Sequence, residues 1–532
     1  MTKRRKLIVL GLDAASPALI HRWAGAGKLP AIRSLMGRGI SGDVAGVEGL
    51  FVGSTWPSFY TGLHPARHGI YRIEQLESGT YDFYRPFELP DGIGGTPFWR
   101  LASDAGRRVA VLDVPLSRIE PGLNGIQTVE WGSHDAVFGF RTFPREFASE
   151  VVSKVGAYPL PSDCNAARTT AGDFEGFISG LEHAVRKKSD LTSWVLERDE
   201  WDLVVQVFTE AHCAGHQCWH IHDPLHPAHD PHLLSTLGDP LERVYRAIDS
   251  AVASILTRVG DARVLLFSAH GMSHFRGANF LLPKILRRLG ALAGKPADTA
   301  GAGSFPSDSA ESAHGASRMP SAEVEGTPLP SPANRRRQEG ARSGSIRADV
   351  DRSRCFPIPN GYPVSGIRLN LAGREPRGVL EPGAEADRFC LELTRQLLAI
   401  TDERTGGPLI SRVLRTQELY DGPRGDALPD LLVEWNDTPT GTLAHGNGRG
   451  AMVRATSPEL GTVEGTNRWS RTGEHVPLGF FVLSGPGVAA SHREIAVPLV
   501  DFYPTICRLL DLPDPGVDGT VVTDLIEWTE SL

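Results

Sequence analysis

The sequence predicts an α/β fold: a mostly parallel central sheet flanked by helices, with a smaller inserted or capping lobe. Three observations predict it. Short apolar runs alternate with helical patterns along most of the chain, as in a parallel sheet with helical crossovers. The runs are continuous and not alternating, which suits strands covered on both faces. The length, 532 residues, exceeds what one core holds, so a second lobe is expected. Composition agrees, since 41% hydrophobic and 22% charged content is ordinary for a soluble globular protein. The formal charge of −8 argues against a general nucleic-acid binder, while leaving room for a locally basic pocket. Six cysteines (Cys164, Cys213, Cys218, Cys355, Cys390, Cys507) are scattered without a paired framework, which predicts a reducing compartment.

The first element is LIVLGLD, ending at Asp13. The basic residues before it imitate a signal peptide, but the apolar run is only about six residues and a signal core needs roughly 7–15. Ser16-Pro17 then reads as a helix start with proline in the first turn. The next helix is PAIRSLMGRG, with Gly39 as its stop. Further strands are RVAVLDV (108–114), LVVQVF (203–208) and RVLLFS (263–268), with helices over much of 172–198 and 238–258. Residues 293–354 are rich in Gly, Ser, Ala and Pro and nearly lack apolar periodicity. Such a stretch buries too little surface to offset its ordering entropy, so disorder is expected there. Beyond it, GIRLNL (366–371) and DLLVEW (430–435) read as strands and 385–400 as an amphipathic helix. GFFVLSGPGV (479–488) reads as a strand with a glycine turn, and VDFYPTICRLLDL as a closing helix. The expected organisation is therefore a first part of the core over 1–292, an unstructured insertion over 293–354, and a smaller lobe plus the end of the core over 355–532. No run reaches the roughly 20 apolar residues of a membrane span, so a cytoplasmic protein without membrane contact is expected.

Four segments place metal-type ligands at strand ends, where open α/β sheets bind their ligands. Asp13 closes the first strand, as a ligand or as a cap of the next helix. FTEAHCAGHQCWH follows LVVQVF and supplies Glu210, His212 and His216. The two histidines are four apart, so a helix puts both imidazoles on one face, and imidazole with carboxylate suits zinc. His270 follows RVLLFS, and His475 precedes the strand GFFVLS. Such a cluster lacks only a nucleophile. Ser54 and Thr55 in STWPSFYTG compete for that role, because a metal lowers a hydroxyl's pKa and a helix N-terminus favours anions. The chemistry implied is phosphoryl or sulfuryl transfer.

These residues resemble a known family. GLDA at 11–14, KLPAIRSLMGRG at 28–39, STWPSFYTGLHPARHGI at 54–70, PFWRLASDAGRRVAVLDVP at 97–115, HGM at 270–272 and the final VDFYPTICRLLDLPDPGVDG look like the type I phosphodiesterase/nucleotide pyrophosphatase branch of the alkaline phosphatase superfamily. The likeness runs through nearly the whole chain outside 293–354. It implies an alkaline phosphatase-like sheet and a site usually holding two zinc-like ions, with one or two expected in this chain once the departures below are counted. Thr55 matches the threonine nucleophile that also touches a metal, Asp13 and His270 match ligands of that same ion, and His216 and His475 match ligands of the other. The implied activity is hydrolysis of phosphodiester or nucleotide pyrophosphate bonds in a small phosphorylated substrate, through a phosphothreonine. Three positions depart from the pattern. Ala269 stands where the family has a metal-binding aspartate, His212 where it has another, and Ile73 where it often has a phosphate-supporting asparagine. Losing anionic ligands weakens the hold on a divalent ion, so Glu210 and His212 are candidate substitutes. A phosphomonoesterase or related sulfo- or phosphonate hydrolase on the same scaffold, and a catalytically degraded anion-binding protein, are the competing readings.

Overall fold

A computed structural model describes residues 5–89, 91–133, 136–137, 139–160, 166–294, 342–346, 348–437, 452–467, 471–493 and 496–526. The chain divides into two compact units: Met1–His64, Gly95–Phe275 and Ser470–Leu532 form the first, and Pro65–Gly94 with Arg276–Trp469 form the second. Most of the stretch expected to be unstructured, 295–341, lies outside the described residues. Its far end is built into the second unit, where Arg342–Ser345 pairs with Asp82–Tyr84 and Val350 and Ser353 are buried.

The first unit is assembled on a ten-stranded sheet. In chain order its strands are β1 (Leu7–Leu12), β2 (Ile40–Ala45), β3 (Val109–Leu112), β4 (Gly125–Val129), β5 (Arg141–Phe143), β6 (Leu203–Phe208) and β7 (Arg263–Ser268). A separate two-stranded ribbon pairs β8 (Gly271–His274) with β9 (Gly473–Val476), and β10 (Leu478–Ser484), β11 (Ser491–His492) and β12 (Val497–Pro498) return to the main sheet. The order across it is β11-β2-β10-β7-β1-β6-β3-β4-β5, with β12 beside β2. β1 lies at the centre, parallel to β6 on one side and β7 on the other, and all six of its residues are buried. That is the environment its unbroken apolar run calls for. β10 enters antiparallel, between β7 and β2.

Helices cover the faces: α1 (Pro17–Gly25), α2 (Pro30–Arg38), α3 (Thr55–Thr61), α4 (Ala171–Arg198), α5 (Glu210–His222), α6 (Pro240–Leu256) and α7 (Phe502–Leu509). α4 starts with a capping box in which Thr170 accepts from the Asp173 amide and Asp173 accepts from the Thr170 amide. α6 presents Leu241, Val244, Tyr245, Ile248, Val252 and Ile255 to the core, the spacing of one helical face. Cys213 and Cys218 of α5 belong to this same apolar core. Neither α4 nor any other described helix is long and apolar enough to cross a membrane.

The second unit carries a four-stranded antiparallel sheet in the order Cys355–Ile358, Val364–Leu369, Leu431–Trp435, Ile410–Arg415. Phe389, Leu393 and Leu397 of helix Ala384–Leu398 share a core with Ile367 and Val433 from that sheet. Arg368, 1% exposed, is paired there with Glu375 at 2.7 Å. Ile73 belongs to this unit.

Candidate active site

Strand direction alone brings the candidate residues of the first unit to one end of the sheet. β6, β1 and β7 are adjacent and parallel, so their carboxyl ends open on the same side. They are followed by α5, by Asp13 and by His270 respectively. β10 runs antiparallel to β7 with Phe480 opposite Ser268, so its beginning, just after β9, reaches that end too. β2 pairs antiparallel with β10 through Ala45 and Leu478, which delivers the loop leading to Thr55. Four strands thus bring their carboxyl ends to the side where open α/β sheets bind ligands, and β10 brings its amino end to the same place.

α5 is buried over Glu210–Ile221, and its one-turn spacing stacks His212 and His216 with ring centroids 4.6 Å apart. β9 supplies the third ring: its partner strand β8 sets Met272 opposite His475, which leaves His270 and His475 with ring centroids 4.8 Å apart. Close approach of β9 to α5 depends on glycine. A Cβ on Gly473 would lie 2.2 Å from the Gly215 carbonyl oxygen.

Three imidazole nitrogens converge. Nε2 of His212 is 2.8 Å from Nε2 of His216 and 3.2 Å from Nε2 of His475. The far sides of two rings are anchored. His212 Nδ1 donates to Asp13 Oδ2 at 2.8 Å, and His216 Nδ1 donates to the Gly473 carbonyl at 2.8 Å. A carboxylate and a carbonyl only accept, so each Nδ1 carries the proton and each Nε2 presents a lone pair. Burial first, then the neighbouring His212, His216 and His270 rings, hold His475 well below the usual histidine pKa and hence neutral. Lone pairs facing one another in a buried space repel unless a cation sits among them. His212, His216 and His475 thus fit a metal ion by their donor chemistry, and nitrogens anchored from behind are the normal dress of metal-binding histidines.

The other sequence-derived candidates have different surroundings. Asp13 Oδ1 accepts from Trp56 Nε1 at 2.9 Å, so its two oxygens serve α3 and α5. Gly11 makes room for that indole, since a Cβ there would meet Trp56 at 2.9 Å. Thr55, the first residue of α3, is fully buried and its hydroxyl donates to the Phe51 carbonyl. Ser54 is the residue before the helix and makes no side-chain cap bond. Gly62, in the left-handed conformation, closes the helix by donating to Ser58. Glu210, expected beside the histidines, pairs instead with Lys188 at 3.2 Å and accepts from the Tyr158 hydroxyl at 2.9 Å. The reason is helical: two residues on from Glu210 the face has turned by roughly 200° at 3.6 residues per turn. Ala269 is buried and offers no ligand atom.

Sequence reasoning missed Lys188 and Tyr158, which touch Glu210, and Asp113, which feels the charge of Lys188. Lys188 Nζ also donates to Thr209 Oγ1 at 3.0 Å and to the Val207 carbonyl at 3.2 Å. Burial raises the pKa of Asp113, against the pull of Lys188. A signal existed for Lys188 alone: it occupies the apolar stripe of α4 with Leu181, Val185, Thr192 and Val195.

Comparison with known proteins bears on the fold and the family. The solved structure of phosphonoacetate hydrolase from Sinorhizobium meliloti 1021 with phosphonoformate matches at TM-score 0.52 and 14% identity, covering 96% of each chain. The same hydrolase with phosphonoacetate gives 0.52 and 13%, again over 96% of each chain. An inactive variant of murine ectonucleotide pyrophosphatase/phosphodiesterase 5 with AMP gives 0.48 and 13%, over 97% of each chain. Sequence comparison with curated proteins gives no match. The model of the type I phosphodiesterase / nucleotide pyrophosphatase family matches residues 7–299, more than half of the chain. That stretch contains β1, α3 and α5, which hold Asp13, Thr55 and two of the converging histidines, and the chain belongs to this family of hydrolases.

Proposed function

We propose that the protein hydrolyses phosphodiester or nucleotide pyrophosphate bonds with Thr55 as nucleophile, assisted by a zinc-class ion held by His212, His216 and His475. The observation that carries the reading is the meeting of three imidazoles, two of them anchored from behind, at the sheet end that also receives the Thr55 loop. When bound, the ion supplies positive charge to offset charge developing on the phosphoryl oxygens. The rest is done by the chain. Thr55 Oγ1 leaves the Phe51 carbonyl, attacks phosphorus and displaces the alcohol of a diester or the phosphate of a pyrophosphate, and the departing oxygen takes the threonine proton. Water then cleaves the phosphothreonine and restores the hydroxyl. Trp56 holds α3 against Asp13, so the nucleophile is registered to the histidines through one hydrogen-bonded link. His270, against His475, is the further imidazole beside the site.

The test is an activity panel on zinc-loaded protein: bis-p-nitrophenyl phosphate, a nucleotide pyrophosphate, p-nitrophenyl phosphate and phosphonoacetate, each against Thr55→Ala. Turnover of the diester or pyrophosphate is expected, with a loss of about a thousandfold or more in the alanine variant, as for removal of a covalent nucleophile. Preference for the monoester or phosphonate moves the substrate assignment. Loaded protein that turns over none of the four sinks the hydrolase reading in favour of an anion-binding protein.

A further inference from the structure

Asp13 follows β1 directly and stands behind the converging nitrogens. Its carboxylate is taken up by two protein donors, His212 Nδ1 through Oδ2 and Trp56 Nε1 through Oδ1. The imidazole of His212, with its proton on Nδ1, binds that carboxylate and makes a carboxylate–histidine pair behind the converging nitrogens. Among the described residues, His212, His216 and His475 form the one group of three such side chains close enough to share an ion.

We infer that the metal centre of this chain is mononuclear, with His212, His216 and His475 as ligands and Asp13 as the residue that positions His212, not a ligand. The inference rests on the metal-assisted reading above and deepens it. Two consequences follow from the donor set. Three neutral nitrogens leave the ion's charge un-neutralised by its own ligands, the nearby carboxylates being Asp13 behind His212 and Glu474, 3.2 Å from His475 Nδ1. Nitrogen-only ligation also selects zinc, cobalt, nickel or copper over magnesium, manganese or calcium, which prefer oxygen. Asp13 contributes by fixing the tautomer and orientation of His212 and by raising the basicity of its Nε2.

Metal binding, measured on the full chain without substrate, tests this. Titration with cobalt(II), followed by visible absorption, is expected to saturate at one equivalent with the intense bands of a four-coordinate nitrogen site. Elemental analysis of zinc-loaded protein is expected to give one ion per chain. Magnesium and manganese in large excess are expected to leave the cobalt spectrum unchanged. In Asp13→Asn the stoichiometry stays at one and the affinity falls 10–100-fold, the usual effect of removing a ligand's orienting partner. His216→Ala and His475→Ala lose the bands. Two ions on the wild type, or Asp13→Asn losing one of two ions with the other unchanged, overturns the inference. So does an Asp13→Asn affinity equal to wild type. The wild-type stoichiometry needs no variant, so a histidine variant that fails to fold leaves the test decisive. Failure of the hydrolase reading is separate: a chain that binds one cobalt ion and turns over no ester loses its proposed reaction and keeps this centre.

Discussion

Lys188 and Glu210 are both 0% exposed, and their 3.2 Å contact stabilises two charges that burial alone would expel. Removing one partner is far worse than removing both, because the survivor is left buried without a counter-charge. Lys188→Met is therefore expected to lower the unfolding free energy by about 3–5 kcal/mol, as read by urea denaturation. Pairing it with Glu210→Gln is expected to recover a large part of that loss. A double variant no better than the single one would show that the pair does not balance as described. A second buried group gives the protein a pH dependence. Burial lowers the pKa of His226 to about 4 from 6.5, opposed by the bond between its Nε2 and the Thr472 carbonyl. In the unfolded chain the imidazole protonates near its ordinary pKa, so between pH 6.5 and about 4 the unfolded state holds the extra proton. Its contribution is fully present above pH 6.5 and is lost as the pH falls toward 4. Denaturation at pH 7.5 and pH 4.5 should show wild type losing stability on the order of 2 kcal/mol from this group. His226→Asn should be less stable at the higher pH and show a shallower loss.

At the scale of elements, the site depends on β9 lying against α5, and Gly473 is what permits it. A Cβ there would stand 2.2 Å from a backbone oxygen, which cannot swing away, whereas a Cβ on Gly215 would stand 2.6 Å from Cγ of the flexible Met272 side chain. Gly473→Ala is thus expected to cost about 1–3 kcal/mol and to weaken cobalt binding by moving His475. Gly215→Ala should cost less and leave the cobalt spectrum in place. Equal effects would show that backbone contact is not what matters. The contrast also marks what the sequence could reveal. β1, β6 and β7 were legible as unbroken apolar runs because central parallel strands meet apolar atoms on both faces. The i, i+4 pair on α5 was legible because helical spacing is local. The β8–β9 ribbon was not: GMSH and GEHV are short and polar, and only their pairing across some two hundred residues gives them meaning. The partners of Glu210 were not legible because Lys188 and Tyr158 come from distant segments. Asp13 was found, but its engagement by His212 and Trp56 is a matter of side-chain direction that strand position does not encode.

On the scale of the molecule, the first unit is a non-contiguous assembly. Its core draws on Leu10 and Leu12 near the start, on Phe208 and Leu266 in the middle, and on Phe480 and Val482 near the end. The converging histidines repeat that arrangement, His212 and His216 coming from the middle stretch and His475 from the last one. An ion bound by all three would close a loop of more than 250 residues, and it would bind only the folded chain because the unfolded one does not hold the three rings together. Zinc is therefore expected to raise the unfolding temperature of the first unit progressively with metal concentration. At a free concentration a thousandfold above Kd the gain is about 4 kcal/mol. Thermal unfolding of the full chain with graded zinc, then with excess chelator, measures it. The rise should reverse on chelation and be absent in His475→Ala. A zinc response that survives in His475→Ala would place the stabilising ion elsewhere. The Gly473→Ala protein should respond with the same limiting slope, displaced to higher zinc, because its ligands are intact and only their alignment is disturbed.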